Sequence, residues 1–314
     1  MTHVNIMKIL VIGDLHGERP VIRTKDFDCM VCVGDFCSDK KVSKLYKEWF
    51  RHIKKNPENH LDVDDFFLSM GYSEKRIDRL EVESLRIGKK ILKYLSSFGR
   101  PIFLVPGNWD QSYGESRIKD MKKNEYNYFK TWLDKFNGDG INPKLIKGLK
   151  NVFDCQFEMH EFMGANFIGY GLSNASENPS ENSRGLKFNK KEFDLLKKTY
   201  ENIVKRLIAS YGDKKNNLPC VFISHNVPYN TRLDVIKDKD SYVYKKHLGS
   251  SVSRVFCLRR KPELCLCGHI HEGKGKCKLG KTIIVNPGKG KEAQVLIDFD
   301  ETRGKVKKVE FLEK

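Results

Sequence analysis

The sequence predicts a layered α/β fold with mixed sheets, on three observations. Five short apolar runs, residues 8–12, 29–33, 102–105, 219–224 and 264–267, lack polar alternation, as strands covered on both faces do. Segments with helical periodicity lie between them. The C-terminal part is rich in strand pairs, which adds antiparallel ladders to the sheets.

Taken in order, the strands at 8–12 and 29–33 come first. Val42, Leu45, Tyr46, Trp49, Phe50 and Ile53 then recur at helical spacing, with Lys and Arg on the other side. Ile77, Leu80, Ile87, Ile91, Tyr94 and Leu95 mark a second helical stretch before the strand at 102–105. Residues 152–168 read as an antiparallel hairpin region, and residues from about 191 to 211 as a helix. After the strand at 219–224, a helix starts near Ser250, Ser251 or Ser253, any of which can serve as an N-cap. The strand at 264–267 is followed by a hairpin over 276–285, turning at Leu279-Gly280-Lys281. A last pair, 293–299 and 305–311, closes the chain. No internal repeat, Pro-rich linker or low-complexity stretch appears, so the chain reads as a single domain over 1–314 with an insertion.

The chain has 314 residues, 39% of them hydrophobic, enough for a large core without disulfide staples. No run of eighteen apolar residues exists, and residues 1–14 lack a signal peptide's apolar stretch and cleavage site. The expectation is a soluble, cytoplasmic protein. Nine cysteines, an odd number, suit a reducing compartment better than a disulfide framework. Cys29/Cys32 and Cys265/Cys267 have spacings reminiscent of zinc sites, but they sit inside apolar strands and read as small hydrophobes. The net charge of +17, from 58 Lys plus Arg against 41 Asp plus Glu, invites polyanionic partners such as nucleic acid, nucleotides or phosphate esters. The lysines are spread along the whole chain, so charge alone does not choose among them.

The chemistry lies in the residues directly after the strands. The first delivers Gly13-Asp14-Leu15-His16-Gly17 and the second Gly34-Asp35. The third delivers Gly107-Asn108-Trp109-Asp110, the fourth Ser224-His225-Asn226, and the fifth Gly268-His269-Ile270-His271. Strand C-terminal ends of an α/β sheet converge on one crevice, the usual place for a ligand. Two Asp, four His and one Asn on a common edge can hold two metal ions with one carboxylate shared. An oxygen-and-imidazole set suits Mn, Fe, Zn or Ni rather than Ca. In Asp-x-His and His-x-His, residues i and i+2 on an extended strand end point the same way and reach one site. Each fragment alone is ordinary turn chemistry; five in this order, each after an apolar strand, are not.

These blocks resemble the calcineurin-like metallophosphoesterase superfamily, whose pattern runs Asp-x-His, Gly-Asp, Gly-Asn-His-Asp/Glu, a single His and Gly-His-x-His. The resemblance spans residues 13 to 271. Residues 224–234, 247–250 and 282–288 are similar to blocks of a prokaryotic branch related to cyclic-nucleotide phosphodiesterases. The resemblance implies a four-layer α/β/β/α sandwich. It implies that Asp14, His16 and His271 hold one divalent ion, that Asn108, His225 and His269 hold a second, and that Asp35 bridges them, with Mn favoured and Fe, Zn or Ni as alternatives. The implied reaction is hydrolysis of a phosphoester, with phosphodiesters or nucleotides favoured, by a metal-bridging hydroxide.

Two departures bear on function. The family's third block carries a His after the Asn, and this chain has Trp109. Indole cannot act as an acid, and general acid catalysis is worth about 10²–10⁴-fold, so aryl esters with good leaving groups should be hydrolysed better than alkyl phosphates. Trp109 can instead stack on a base or an aromatic substrate, or pack against a strand. The stretch from Asp35 to Asn108 also exceeds what a simple crossover needs. Residues 38–98 therefore include a helical insertion that lids the site and sets substrate choice, mediates self-association, or is a plain solvated helical pair. Asn226 and His247 are further candidate substrate contacts, His247 alternatively being a helix-start residue without a catalytic part. Lys274, Lys276, Lys278, Lys281, Lys289 and Lys291 form a basic rim or a solvated hairpin. Two other readings compete. One is a nuclease, which needs an extended groove. The other is a non-catalytic scaffold that keeps the fold, against which stands the completeness of the seven ligands.

Overall fold

The computed structural model describes residues 6–56, 61, 63–110, 145–146, 148–171, 173–181, 188–212 and 217–312. Twelve strands among these form two mixed six-stranded sheets. The first contains β1 (Ile6–Ile12), β2 (Cys29–Cys32), β3 (Ile102–Leu104), β4 (Val152–Asp154), β11 (Gln294–Asp300) and β12 (Lys305–Phe311), in the order β12-β11-β1-β2-β3-β4. The second contains β5 (His160–Phe162), β6 (Ala165–Tyr170), β7 (Cys220–Asn226), β8 (Leu264–Gly268), β9 (Gly275–Leu279) and β10 (Thr282–Asn286), in the order β5-β6-β7-β8-β10-β9. β1 to β4 are parallel neighbours, as are β6, β7, β8 and β10, and the antiparallel members lie at the edges or beside β1.

The missing polar alternation has its physical cause in the layering. Along β1, Ile9 and Val11 enter a core between the sheets, while Leu10 and Ile12 enter a second core on the outer face. Period-two side chains thus meet apolar neighbours on both faces. The inter-sheet core joins Phe103, Val31 and Ile297 of the first sheet to Phe167, Ile223 and Leu266 of the second. The outer face of the first sheet is covered by Leu85, Ile91, Leu92 and Leu95 of α3 (Glu74–Ser96). The outer face of the second is covered by Val204 and Leu207 of α4 (Lys190–Gly212) and by Val252, Phe256 and Cys257 of α5 (Ser251–Arg260). The α/β/β/α order follows. Ser250 caps α5, its Oγ accepting the Ser253 N–H at 3.1 Å. Phe103 and Phe167 stack across the sheet interface with centroids 4.2 Å apart. Phe167→Ala is expected to cost about 3–5 kcal/mol, read as a lower denaturation midpoint at unchanged m-value.

One expectation is corrected. Residues 152–168 are not one hairpin region: β4 joins the first sheet parallel to β3, and only β5 and β6 form a hairpin, in the second sheet. The chain changes sheets here because Phe153 stacks on Phe103, with centroids 5.4 Å apart, while Gln156 already bridges to Gly169 of β6.

Between β2 and β3 lie α1 (Ser43–Lys55), α2 (Val63–Ser69) and α3. The second half of α3 packs on the sheet as an ordinary crossover helix. Helices α1 and α2 instead share a small core of their own around Leu45, Phe66 and Phe67. Both cysteine pairs lie in strands, Cys29 and Cys32 in β2 and Cys265 and Cys267 in β8, as buried free thiols. Burial pushes the Cys32 thiol up to about 12. No helix among the described residues is long and apolar enough to cross a membrane.

Candidate metal centre

The structure gathers the seven side chains that come after the five strands. Asp14, His16 and His271 form one group and Asp35, His225 and His269 another, each with its candidate ligand atoms within 4.8 Å of one another. Asn108 completes the second group: its Oδ1 lies 2.9 Å from His225 Nε2 and 3.0 Å from His269 Nδ1. Asp35 stands between the groups, with Oδ2 3.6 Å from His16 Nε2 and 3.5 Å from His225 Nε2. In the first group, His16 Nε2 and His271 Nε2 are 3.1 Å apart, and His271 Nε2 is 3.4 Å from Asp14 Oδ2.

What these atoms carry decides whether a cation fits. His225 Nδ1 lies 2.9 Å from the Val33 carbonyl, and His269 Nε2 lies 3.2 Å from the Asn174 carbonyl. A carbonyl only accepts, so each of these ring nitrogens holds the proton. When such a ring is neutral, its other nitrogen presents a lone pair to Asn108 Oδ1, itself an acceptor. His16 differs: its Nδ1 lies 3.1 Å from Asp39 Oδ2, a charge contact without hydrogen-bond geometry, and its Nε2 is turned inward. Such outer carbonyls and carboxylates orient metal-ligating imidazoles in known sites. Among the described residues, Asp14 Oδ1 is buried with no hydrogen-bond partner. Acceptors facing acceptors in a buried place fit divalent cations. Addition of Mn²⁺ is therefore expected to raise the thermal midpoint, by the equivalent of about 2.7 kcal/mol at a hundredfold excess over Kd, and a chelator to reverse the rise.

The local backbone is built for this convergence. His16, Asp35 and His269 have φ values of +45°, +52° and +65°. Left-handed conformations at such residues cost of order 1–3 kcal/mol each and persist where surroundings impose them. A Cβ on Gly107 would lie 2.1 Å from Asp35 Oδ1, and one on Gly268 2.2 Å from Asp14 Oδ1, so only glycine fits at either place. Burial works against the Asp14 charge. The His271 hydrogen bond and the charges of His225, His271 and His16 outweigh it and hold the carboxyl below its ordinary value.

Two supporting residues escaped the sequence reading. Asp110 is fully buried and accepts from the backbone N–H of Gly107 and Cys37, both at 2.9 Å, and of Phe36 at 3.4 Å. It thereby ties the third block to the second; burial and the Asp35 charge push its carboxyl up to about 6. Its signal was its place in Gly-Asn-x-Asp. Asp39, which orients His16 and lies 3.6 Å from Lys289 Nζ, carried no such signal.

Of the remaining candidates, Trp109 touches the centre, and Asn226 and His247 make other contacts. The Trp109 backbone N–H donates to Asp35 Oδ1 at 2.9 Å, and its half-buried indole meets Tyr46 of α1 edge-on, with centroids 5.0 Å apart. Asn226 is fully buried and donates its amide to the Leu248 carbonyl at 3.0 Å and to Ser173 Oγ at 3.4 Å. His247 Nδ1 donates to Oδ1 of the buried Asp234 at 2.7 Å. With Arg232, Lys276, Lys278, Lys307 and Lys308 it lines a cavity of about 870 Å³ on the flank between β9 and β12. The lysines beyond His271 are therefore divided: Lys289 faces Asp39 beside the centre, and Lys276 and Lys278 face that flank.

The sequence profile of the Calcineurin-like phosphoesterase family matches residues 7–273. The chain belongs to this family. This calcineurin-like phosphoesterase is 27% identical over 288 residues to the uncharacterized protein MJ1162 of Methanocaldococcus jannaschii, covering 90% of this chain and 89% of that one. One solved crystal structure is similar with a TM-score of 0.56 at 18% identity, covering 98% of this chain and all of that one, a likeness of fold. TT1561 of Thermus thermophilus is similar with a TM-score of 0.45 at 15% identity, covering 98% of this chain and all of the other.

Proposed function

We propose that this calcineurin-like phosphoesterase is a metal-dependent hydrolase of phosphoesters, with phosphodiesters and nucleotides as its favoured substrates and water as the nucleophile. The observation that carries this reading is the convergence of two carboxylates, four imidazoles and one amide from both sheets on one place. Asp14, His16 and His271 would hold one divalent cation, Asn108, His225 and His269 a second, and Asp35 would be shared. Bound there, such cations supply hydroxide near neutral pH and stabilise charge on the phosphoryl oxygens. The mixed carboxylate, amide and imidazole set suits Mn first, with Fe, Zn and Ni as alternatives.

The chain's own contribution is orientation and charge. The Val33 and Asn174 carbonyls orient the His225 and His269 rings, Asp39 lies against His16, and Asp110 holds the backbone around Asp35 and Asn108. Trp109 offers no proton to a leaving group, so esters that depart as stable anions should be preferred. Nine free thiols, eight of them buried, support a reducing, cytoplasmic setting.

The test is hydrolysis of bis-p-nitrophenyl phosphate and p-nitrophenyl phosphate by protein loaded with Mn²⁺. Metal-dependent nitrophenol release, with the diester ahead, is the expected result. No turnover with Mn²⁺, Ni²⁺, Zn²⁺ or Fe²⁺ would overturn it in favour of a scaffold that keeps the fold without the chemistry.

A further inference from the structure

The metal-centre residues come from two walls. Asp14, His16, Asp35 and Asn108 follow strands of the first sheet, and His225, His269 and His271 belong to or follow strands of the second. Helix α1 touches both walls. At its start, Tyr46 meets Trp109, the neighbour of Asn108, with ring centroids 5.0 Å apart. One turn on, Phe50 stacks on Tyr242 at 6.0 Å, and a further turn on, Lys54 Nζ donates to the Asp240 carbonyl at 3.4 Å. Residues 240–242 belong to the loop whose Lys237 grips Glu272 beside His271, its N–H donating to Glu272 Oε1 at 3.1 Å and its Nζ to the Glu272 carbonyl at 2.9 Å. Tyr46 to Lys54 spans about 12 Å at 1.5 Å per residue. Just before α1, Asp39 faces His16. The helix therefore starts against the first wall and lands on a loop joined to the second.

It is also braced from behind. Leu45 is buried against Phe66 and Phe67 of α2, Tyr46 packs edge-on to Phe67 at 5.3 Å, and Trp49 Nε1 donates to the Leu61 carbonyl at 2.9 Å. The helix is strongly cationic: it carries Lys44, Lys47, Arg51, Lys54 and Lys55 against the single acid Glu48.

We propose that α1 is a fixed, basic bridge over the mouth of the metal centre, pinned at one end by Trp109, and that it restricts the site to compact phosphoesters of about nucleotide size. A continuous nucleic-acid strand would have to pass beneath a helix held at both ends. The proposal rests on the hydrolase reading above and narrows it. It also gives Trp109 a role as a positioning residue: the indole that replaces the family's histidine anchors the bridge, while the backbone N–H of Trp109 holds Asp35.

Two probes separate the possibilities: bis-p-nitrophenyl phosphate as a compact diester, and circular single-stranded DNA as a strand without ends. The Mn²⁺-loaded protein should hydrolyse the first and leave the second uncut. Phe50→Ala combined with Lys54→Ala releases the far anchor at positions outside the metal centre. That variant should keep its turnover of bis-p-nitrophenyl phosphate and raise DNA nicking relative to it by about tenfold, within the range that single pocket contacts contribute to discrimination. Amide hydrogen exchange should show α1 protected in the parent and loosened in the variant, with β1 to β3 unchanged. Nicking of circular DNA by the parent, or an unchanged ratio in the variant, overturns the bridge while leaving the hydrolase reading intact. If neither ester nor DNA turns over with any metal, the hydrolase reading fails, and hydrogen exchange alone decides the bridge. Equal α1 exchange in parent and variant would then refute it.

Discussion

Asp35→Asn will fold and lose phosphoesterase activity by at least about 10²–10³-fold, the loss that follows removal of one preorganised electrostatic contact in a catalytic centre. The geometry gives the reason. Asp35 Oδ1 accepts the Trp109 N–H, which an asparagine oxygen can keep accepting. Oδ2 faces His16 Nε2 and His225 Nε2, and there the variant places a neutral NH₂ group whose protons point at the two lone pairs. The amide removes the charge that two cations would share and turns donors toward the place they would take. Mn²⁺ should then raise the thermal midpoint of the parent and not of the variant. The midpoint shift and calorimetric titration with Mn²⁺ check this without any substrate. A variant that kept its Mn²⁺-dependent stabilisation would remove Asp35 from the centre.

Asp110→Ala should be the most destabilising single change near the site. The carboxylate is buried and receives three backbone N–H groups, from Gly107, Cys37 and Phe36. Each buried donor left without a partner costs about 1–3 kcal/mol, so a loss of roughly 3 kcal/mol or more is expected. The variant should also bind Mn²⁺ more weakly, because those N–H groups hold the turns that carry Asp35 and Asn108. Asp110→Asn should fall between, since its oxygen accepts on one side while its NH₂ opposes a donor on the other. Thermal denaturation with and without Mn²⁺ tests the series. A loss below about 1 kcal/mol for the alanine variant would mean that water replaces the carboxylate and that the joint between the blocks is held elsewhere.

Much of the centre was legible because it is written at strand ends. An apolar run that stops at Gly-Asp or Gly-His states locally where a buried strand ends and which side chain emerges, and β1, β2 and β8 each end that way. The helical periods of α1, α3 and α4 were readable for the same reason, as was a serine cap among Ser250, Ser251 and Ser253, of which the structure selects Ser250. Other features had no local mark. The switch of sheets after β4 depends on Phe153 finding Phe103. Asp39 looks like any acidic loop residue until His16 lies against it. Asn174 acts through its backbone carbonyl, which no side-chain pattern encodes. Asn226 and His247 sit close in sequence to promising blocks, yet one is buried with its amide on the Leu248 carbonyl and the other lines the flank cavity.

The sequence by itself determined which residues leave each strand and that they are carboxylates, imidazoles and an amide, because strand ends and turns obey short-range rules. Only the tertiary structure decided that they meet. His16 and His271 are 255 residues apart in the chain and 3.1 Å apart in space. That approach is imposed by two sheets packing face to face over the shared core of Phe103 and Phe167, not by anything near either histidine. The tautomers, the left-handed backbones of His16, Asp35 and His269, and the reach of α1 between the two walls have the same origin in the packing, since each depends on a partner supplied by a distant segment.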